Sequence, residues 1–127
     1  MEFRDKQAIY LQIAEYVCEQ ILLSKWRPGD KILSIRELAI FMEVTPNTIQ
    51  RTYDYLQQEE IITNKRGIGY FVPENGLEKV LNFRRNLFFK NDLPVMFRNM
   101  FLLKVNSEDV TILFEEFIKE NFKEKKK

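Results

Sequence analysis

Residues 33–72 read LSIRELAIFMEVTPNTIQRTYDYLQQEEIITNKRGIGYFV, and this stretch decides the fold. Ser34 is a natural N-cap, and Glu37, three residues on, completes a capping-box pattern. The helix that follows, IRELAIFM, buries Ile35, Leu38, Ala39 and Met42 by its spacing and turns Arg36 and Glu37 outward. A short connection leads to Thr45, a second N-cap, and to Pro46, whose fixed φ and missing N–H suit the first helical position. The second helix buries Ile49, Tyr53 and Leu56, which leaves Asn47, Thr48, Gln50, Arg51 and Asp54 on or near its free face. IITNK and GYFVP are β-rich runs separated by Arg66-Gly67-Ile68-Gly69, and Pro73 closes the second. Two capped helices followed by a hairpin describe a winged helix-turn-helix.

In such a unit the second helix enters the major groove of DNA with its N-terminal residues toward base edges. Amide side chains pair bidentately with adenine and Arg with guanine, while Thr hydrogen-bonds or touches a thymine methyl. That chemistry accounts for Thr45, Asn47, Thr48, Gln50 and Arg51 at the head of the helix. Lys65 and Arg66 suit the phosphate backbone or the minor groove, and Gly67 and Gly69 let the hairpin approach DNA closely. The opposing reading, an ordinary solvated helix face and a plain charged hairpin, places no demand on these residue types.

Upstream, residues 5–24 repeat apolar side chains every four positions, at Ile9, Ile13, Val17 and Ile21. Tyr10, Ala14 and Cys18 flank this stripe, and Gln7, Gln12, Glu15 and Glu19 fall largely on the other side. WRPGDK predicts a turn and KIL a very short strand. From Leu77 onward the chain is helical by pattern, with Pro94 expected to kink or restart the helix near Asp92. Asn106 or Ser107 caps a last helix, and the closing KEKKK is expected to be frayed and solvated. The expected organisation is mostly α with a small β-wing: residues 1–74 form the winged helix-turn-helix and residues 75–127 a helical dimerisation segment. Leu87, Phe88, Phe97, Met100, Phe101, Phe114 and Phe117, together with Phe83, give that segment more apolar surface than one small domain covers, and such patches mark a partner. A two-fold homodimer would read a palindromic operator.

Composition narrows the function further. The chain has 127 residues and no histidine, which removes imidazole-based zinc sites and Ser-His-Asp or Cys-His catalysis. The carboxylates are scattered, so neither an enzyme, a metal centre nor a cofactor is expected. The single cysteine, Cys18, falls on the apolar side of its helix and reads as an inert core thiol. No apolar run approaches a membrane span, and MEFRDKQAIY lacks the apolar core of a signal peptide, so a cytoplasmic protein without membrane association is expected. Charge runs against a nucleic-acid partner: residues 1–75 carry nine Lys/Arg and eleven Asp/Glu, a balance of −2, while residues 76–127 balance at +3. DNA binding must therefore rest on where a few cations sit.

Over roughly residues 7–73 the order of motifs resembles the GntR family of bacterial transcription regulators. The shared features are helix, Pro-Gly-Asp turn, Ser-x-Arg-Glu-Leu-Ala, Asn-Thr-hydrophobic-x-Arg-x-Tyr-x-x-Leu and Arg-Gly-x-Gly-x-Phe-Val. Pro46-Asn47-Thr48 and the short helical C-terminus look like the YtrA-type branch. The resemblance implies a sequence-specific regulator, a repressor in the first instance, binding double-stranded DNA as a homodimer. It also implies that Arg36 touches the DNA backbone or a base edge, with Thr45, Asn47, Thr48, Gln50 and Arg51 at the major groove and Lys65, Arg66, Gly67 and Gly69 at the wing tip. Three positions depart from the family pattern. Leu33 replaces a Pro, which should loosen the start of the first helix of the pair; Pro46 replaces a common Arg; and Glu60 replaces the Gly that would favour a left-handed turn before the wing. Two rival functions stay open at this level, a winged helix turned protein-interaction module and an adaptor that senses a small-molecule effector through its tail.

Overall fold

The computed structural model describes Phe3 and residues 7–122. The element order is α1 (Ile9–Leu22), α2 (Ile35–Met42), α3 (Pro46–Gln58), β1 (Thr63–Lys65), β2 (Gly69–Phe71) and α4 (Gly76–Leu87). A π-helical turn (Phe88–Asp92), α5 (Leu93–Leu103) and α6 (Ser107–Asn121) follow. The closing basic run, residues 123–127, lies outside the described residues, as do residues 5 and 6 at the head of the first expected helix.

Chain packing divides the molecule into Met1–Arg85 and Asn86–Lys127. This division falls later than the boundary expected at residues 74 and 75. The reason is α4: Val80 is buried in the winged unit's core, Phe83 packs against that core, and the Lys79 ammonium meets the Glu60 carboxylate at 2.8 Å.

The first unit is built around the stripe read from the sequence. Ile13, Val17 and Ile21 of α1 meet Leu38, Ala39 and Met42 of α2 and Ile49, Tyr53 and Leu56 of α3, with Ile61, Ile62 and Val72 closing the core from the wing side. Ile35, expected among them, is half-buried. Gln12 departs from expectation more sharply: it is 1% exposed, and its side-chain amide donates to the Gln7 carbonyl at 2.7 Å. A buried amide needs such a partner, and the local backbone supplies it.

The capping box of α2 is complete. The Ser34 hydroxyl accepts from the Glu37 N–H at 3.0 Å, and the Glu37 carboxylate accepts from the Ser34 N–H at 2.8 Å. These bonds hold the Glu37 carboxyl below the usual carboxylate range. Leu33 does not loosen this start, because its carbonyl accepts from the Tyr53 hydroxyl at 2.7 Å and is thereby tied to α3. Thr45 stands at the N-cap of α3 in extended backbone, but its hydroxyl meets the Thr48 hydroxyl at 3.1 Å and caps no N–H.

The wing is an antiparallel pair with Thr63 opposite Phe71, Asn64 opposite Tyr70 and Lys65 opposite Gly69. The strands are shorter than expected. Ile61 is held back by its N–H, which donates to the Leu56 carbonyl at 2.9 Å and closes the end of α3. The expected KIL strand appears as a bridge between Lys31 and Phe71, reinforced by the Ile32 N–H donating to the Tyr70 carbonyl at 2.9 Å.

In the second unit, the helix restarts near Asp92 as the sequence predicts: a π-helical turn ends at Asp92 and α5 begins at Leu93, with Pro94 in its first turn. Asn106 caps α6, its side-chain oxygen accepting from the Asp109 N–H at 2.8 Å. Neither α5 nor α6 buries a single residue.

Candidate nucleic-acid interface

The residues expected at DNA all lie on the winged unit. Arg36 is exposed on α2; Asn47, Gln50 and Arg51 are exposed on α3, with Thr48 half-buried beside them; Lys65, Arg66 and Gly67 are exposed at the hairpin and Gly69 is half-buried. Burying Ile49, Tyr53 and Leu56 at helical spacing is what turns this polar set to the surface. The buried Thr52 hydroxyl adds a second constraint on α3, donating to the Tyr10 carbonyl of α1 at 2.9 Å.

Several of these side chains are held in place already. The Gln50 amide donates to the Asp54 carboxylate at 2.9 Å, one helical turn on. The Arg51 guanidinium lies over the Tyr10 ring, 3.9 Å from its centre, and the Lys65 ammonium lies over the Phe71 ring at 4.4 Å. Each cation is steadied by the quadrupole of an aromatic face and keeps its N–H groups for another partner. The wing tip closes through the Ile68 N–H donating to the Lys65 carbonyl at 2.9 Å, with Gly67 at φ 78 and Gly69 at φ 140. Space around Gly67 is open, whereas a Cβ on Gly69 would stand 2.9 Å from Cε of Lys31.

Three features escaped the sequence reading. Lys31 lies against the wing glycine and close enough to Glu37 to help lower that carboxyl, so it adds a cation between wing and α2. Its place in the KIL run was the available signal. Tyr10 flanks the α1 stripe, and nothing in that pattern signals its contact with Arg51. Ile68, 60% exposed, puts an apolar side chain at the wing tip, where only charge and glycine had been weighed.

The residues expected at a dimer interface lie in α4, the π turn, α5 and α6. Leu87, Phe88, Phe97, Phe101, Phe114 and Phe117 are exposed and Met100 is half-buried, with Phe101 at 83% and Phe114 at 61%.

Comparison with known proteins places the chain in a family. The profile of "Bacterial regulatory proteins, gntR family" matches residues 9–72. The HTH-type transcriptional regulator YhcF of Bacillus subtilis, itself uncharacterised, is 42% identical over 73 residues, which span 58% of this chain and 60% of YhcF. The HTH-type transcriptional repressor YtrA of the same organism is 40% identical over 72 residues, spanning 57% of this chain and 55% of YtrA. The match thus spans little more than half the length of these two curated relatives. A GntR family transcriptional regulator from Listeria monocytogenes has a solved structure that superposes over 90% of this chain and 98% of its own, with 34% identity and a TM-score of 0.75.

Proposed function

The chain belongs to the GntR family of bacterial regulatory proteins, and on that premise we propose that it is a sequence-specific DNA-binding transcription regulator that represses by occupying an operator as a homodimer. The observation that carries the DNA reading is the exposed face at the head of α3. Asn47, Gln50 and Arg51 project from a helix whose other side is anchored by fully buried Ile49, Tyr53 and Leu56. In this reading α3 lies in the major groove, Arg36 and the Lys65–Arg66 wing tip hold the phosphates, and Gly67 and Gly69 bring the wing backbone close to the duplex. The likeness to YtrA, a transcriptional repressor, supports the sign of regulation.

The exposed apolar surface of α5 and α6 supports the proposed second copy. Helices in water are stabilised chiefly by burying an apolar face, and these two bury none. An isologous pairing of the same helices from two chains covers that surface with the fewest new requirements. It also doubles the phosphate contacts. No helix among the described residues is long and apolar enough to cross a membrane, and a repressor of this kind works where the chromosome is, in the cytoplasm. No catalytic role is assigned. An effector acting on the helical unit would reveal itself as a ligand-dependent rise in melting temperature.

Selection from a random-centre duplex library, followed by footprinting, tests the whole reading. A two-fold symmetric site with half-sites about one helical turn apart, or a multiple of it, is expected. Enrichment of a single unsymmetrical site would contradict the homodimer, and no enrichment would contradict DNA specificity.

A further inference from the structure

Two adjacent residues of α3 grip the same residue of α1. The Arg51 guanidinium stacks on the Tyr10 ring at 3.9 Å, while the Thr52 hydroxyl donates to the Tyr10 carbonyl at 2.9 Å. The ring is itself backed. Tyr55 of α3 meets it edge-on at 6.1 Å, and Phe83 of α4 meets Tyr55 at 6.0 Å. Phe83 in turn packs against the hydrophobic core. The surface beneath Arg51 is therefore a fixed plate, held through its backbone on one side and its ring edges on the other.

We propose that Tyr10 is the positioning residue for Arg51, fixing the guanidinium plane before DNA arrives so that its edge meets a base pair already aligned. The inference rests on α3 being the reading helix. An arginine on a bare helix surface must surrender many rotamers on binding, and restraining it beforehand removes part of that ordering cost. A stacked guanidinium satisfies its face through the ring while its edge donors stay available for the bidentate pairing that guanine offers. Among the described residues no carboxylate forms an ion pair with Arg51, so the edge donors are not diverted to one.

The test uses full-length chain and duplexes selected by the wild-type protein from a random-sequence library. Affinity is measured for the selected duplex and for one altered at the base pair to which Arg51→Ala is sensitive. Tyr10→Leu should lower discrimination between the two by roughly three- to tenfold, the range a partly desolvated stack supports, and leave the salt dependence unchanged. Tyr10→Phe keeps the plate and should behave as wild type. Placed on Arg51→Ala, Tyr10→Leu should have no further effect.

An additive loss in the double variant would overturn the inference, because it would mean that the ring serves only the fold. Tighter binding by Tyr10→Leu would overturn it too, making the stack a latch that DNA must open. If the wild-type chain selects no sequence at all, the reading of α3 fails and takes this inference with it. Selection followed by additivity removes the inference alone.

Discussion

At the scale of single residues, the chain ends its helices in an unusual way. Ser24, Glu43, Glu60 and Lys104 follow α1, α2, α3 and α5, and all four adopt left-handed backbone with φ between 57° and 62°. Glycine is the residue that adopts this conformation without steric penalty. In each case the next N–H reaches back to close the helix: Lys25 to Gln20, Val44 to Ala39, Ile61 to Leu56 and Val105 to Met100, all at 2.9 to 3.0 Å. Three of the four donors are apolar, and their attraction to the preceding turn helps to offset the backbone cost. At Glu60 the Lys79 ammonium adds an ion pair that lowers the Glu60 carboxyl pKa. Glu60→Gly should therefore raise the denaturation midpoint once high salt has screened that pair. A lower denaturation midpoint at high salt would contradict this. Cys18 provides a second handle. Burial pushes its thiol from 9.0 up to about 11, against the opposing pull of Arg84. The unfolded chain loses this proton first, so stability should fall as pH rises from 9.0 to about 11 and level off beyond, by an amount on the order of 2 kcal/mol. Denaturant melts of wild type and Cys18→Ala across that window check the sign. Parallel declines would show that the thiol contributes nothing.

At the scale of elements, the proposed function assigns base reading to the α2–α3 pair and phosphate contact to the wing. If Arg51 reads a base edge, Arg51→Ala should relax specificity at one base position and cost ~1–3 kcal/mol. Lys65→Ala should weaken binding to all sequences alike and reduce its salt dependence. Equal behaviour in affinity measurements over a panel of single-base variants would dissolve the distinction between reader and positioner. These elements were legible because their signals are local. Ser34 with Glu37 writes a capping box, Pro46 marks a first turn, and Ile49, Tyr53 and Leu56 keep helical time. The helix ends were less legible, since the sequence signal for a stop is glycine and four stops here use other residues. The same limit applied to Gln12, whose burial depends on a carbonyl that only the folded start of α1 brings near. Tyr10 and Lys31 were missed for a related reason: their importance lies in which element packs beside them, and a single helix or strand pattern carries no record of that.

At the scale of the whole molecule, the winged unit has its own buried core, and α5 and α6 bury no residue. In the proposed homodimer Phe97 lies at the interface, so Phe97→Asp should shift the chain from dimer to monomer in light scattering, because a carboxylate in a dry interface is costly to desolvate. An unchanged mass would contradict the assigned role of α5. The head's negative balance makes the remaining question one of arrangement over total charge, and phosphate contacts leave a signature that protein partners do not. The most direct measurement is a titration of the chain with a duplex from upstream of its own gene and with a scrambled duplex of equal length, at two salt concentrations. The account predicts a preference for the upstream duplex of about a hundredfold or more, with affinity falling steeply as salt rises. Equal, feeble and salt-insensitive binding to both would contradict it and would mark the winged head as a protein-binding module.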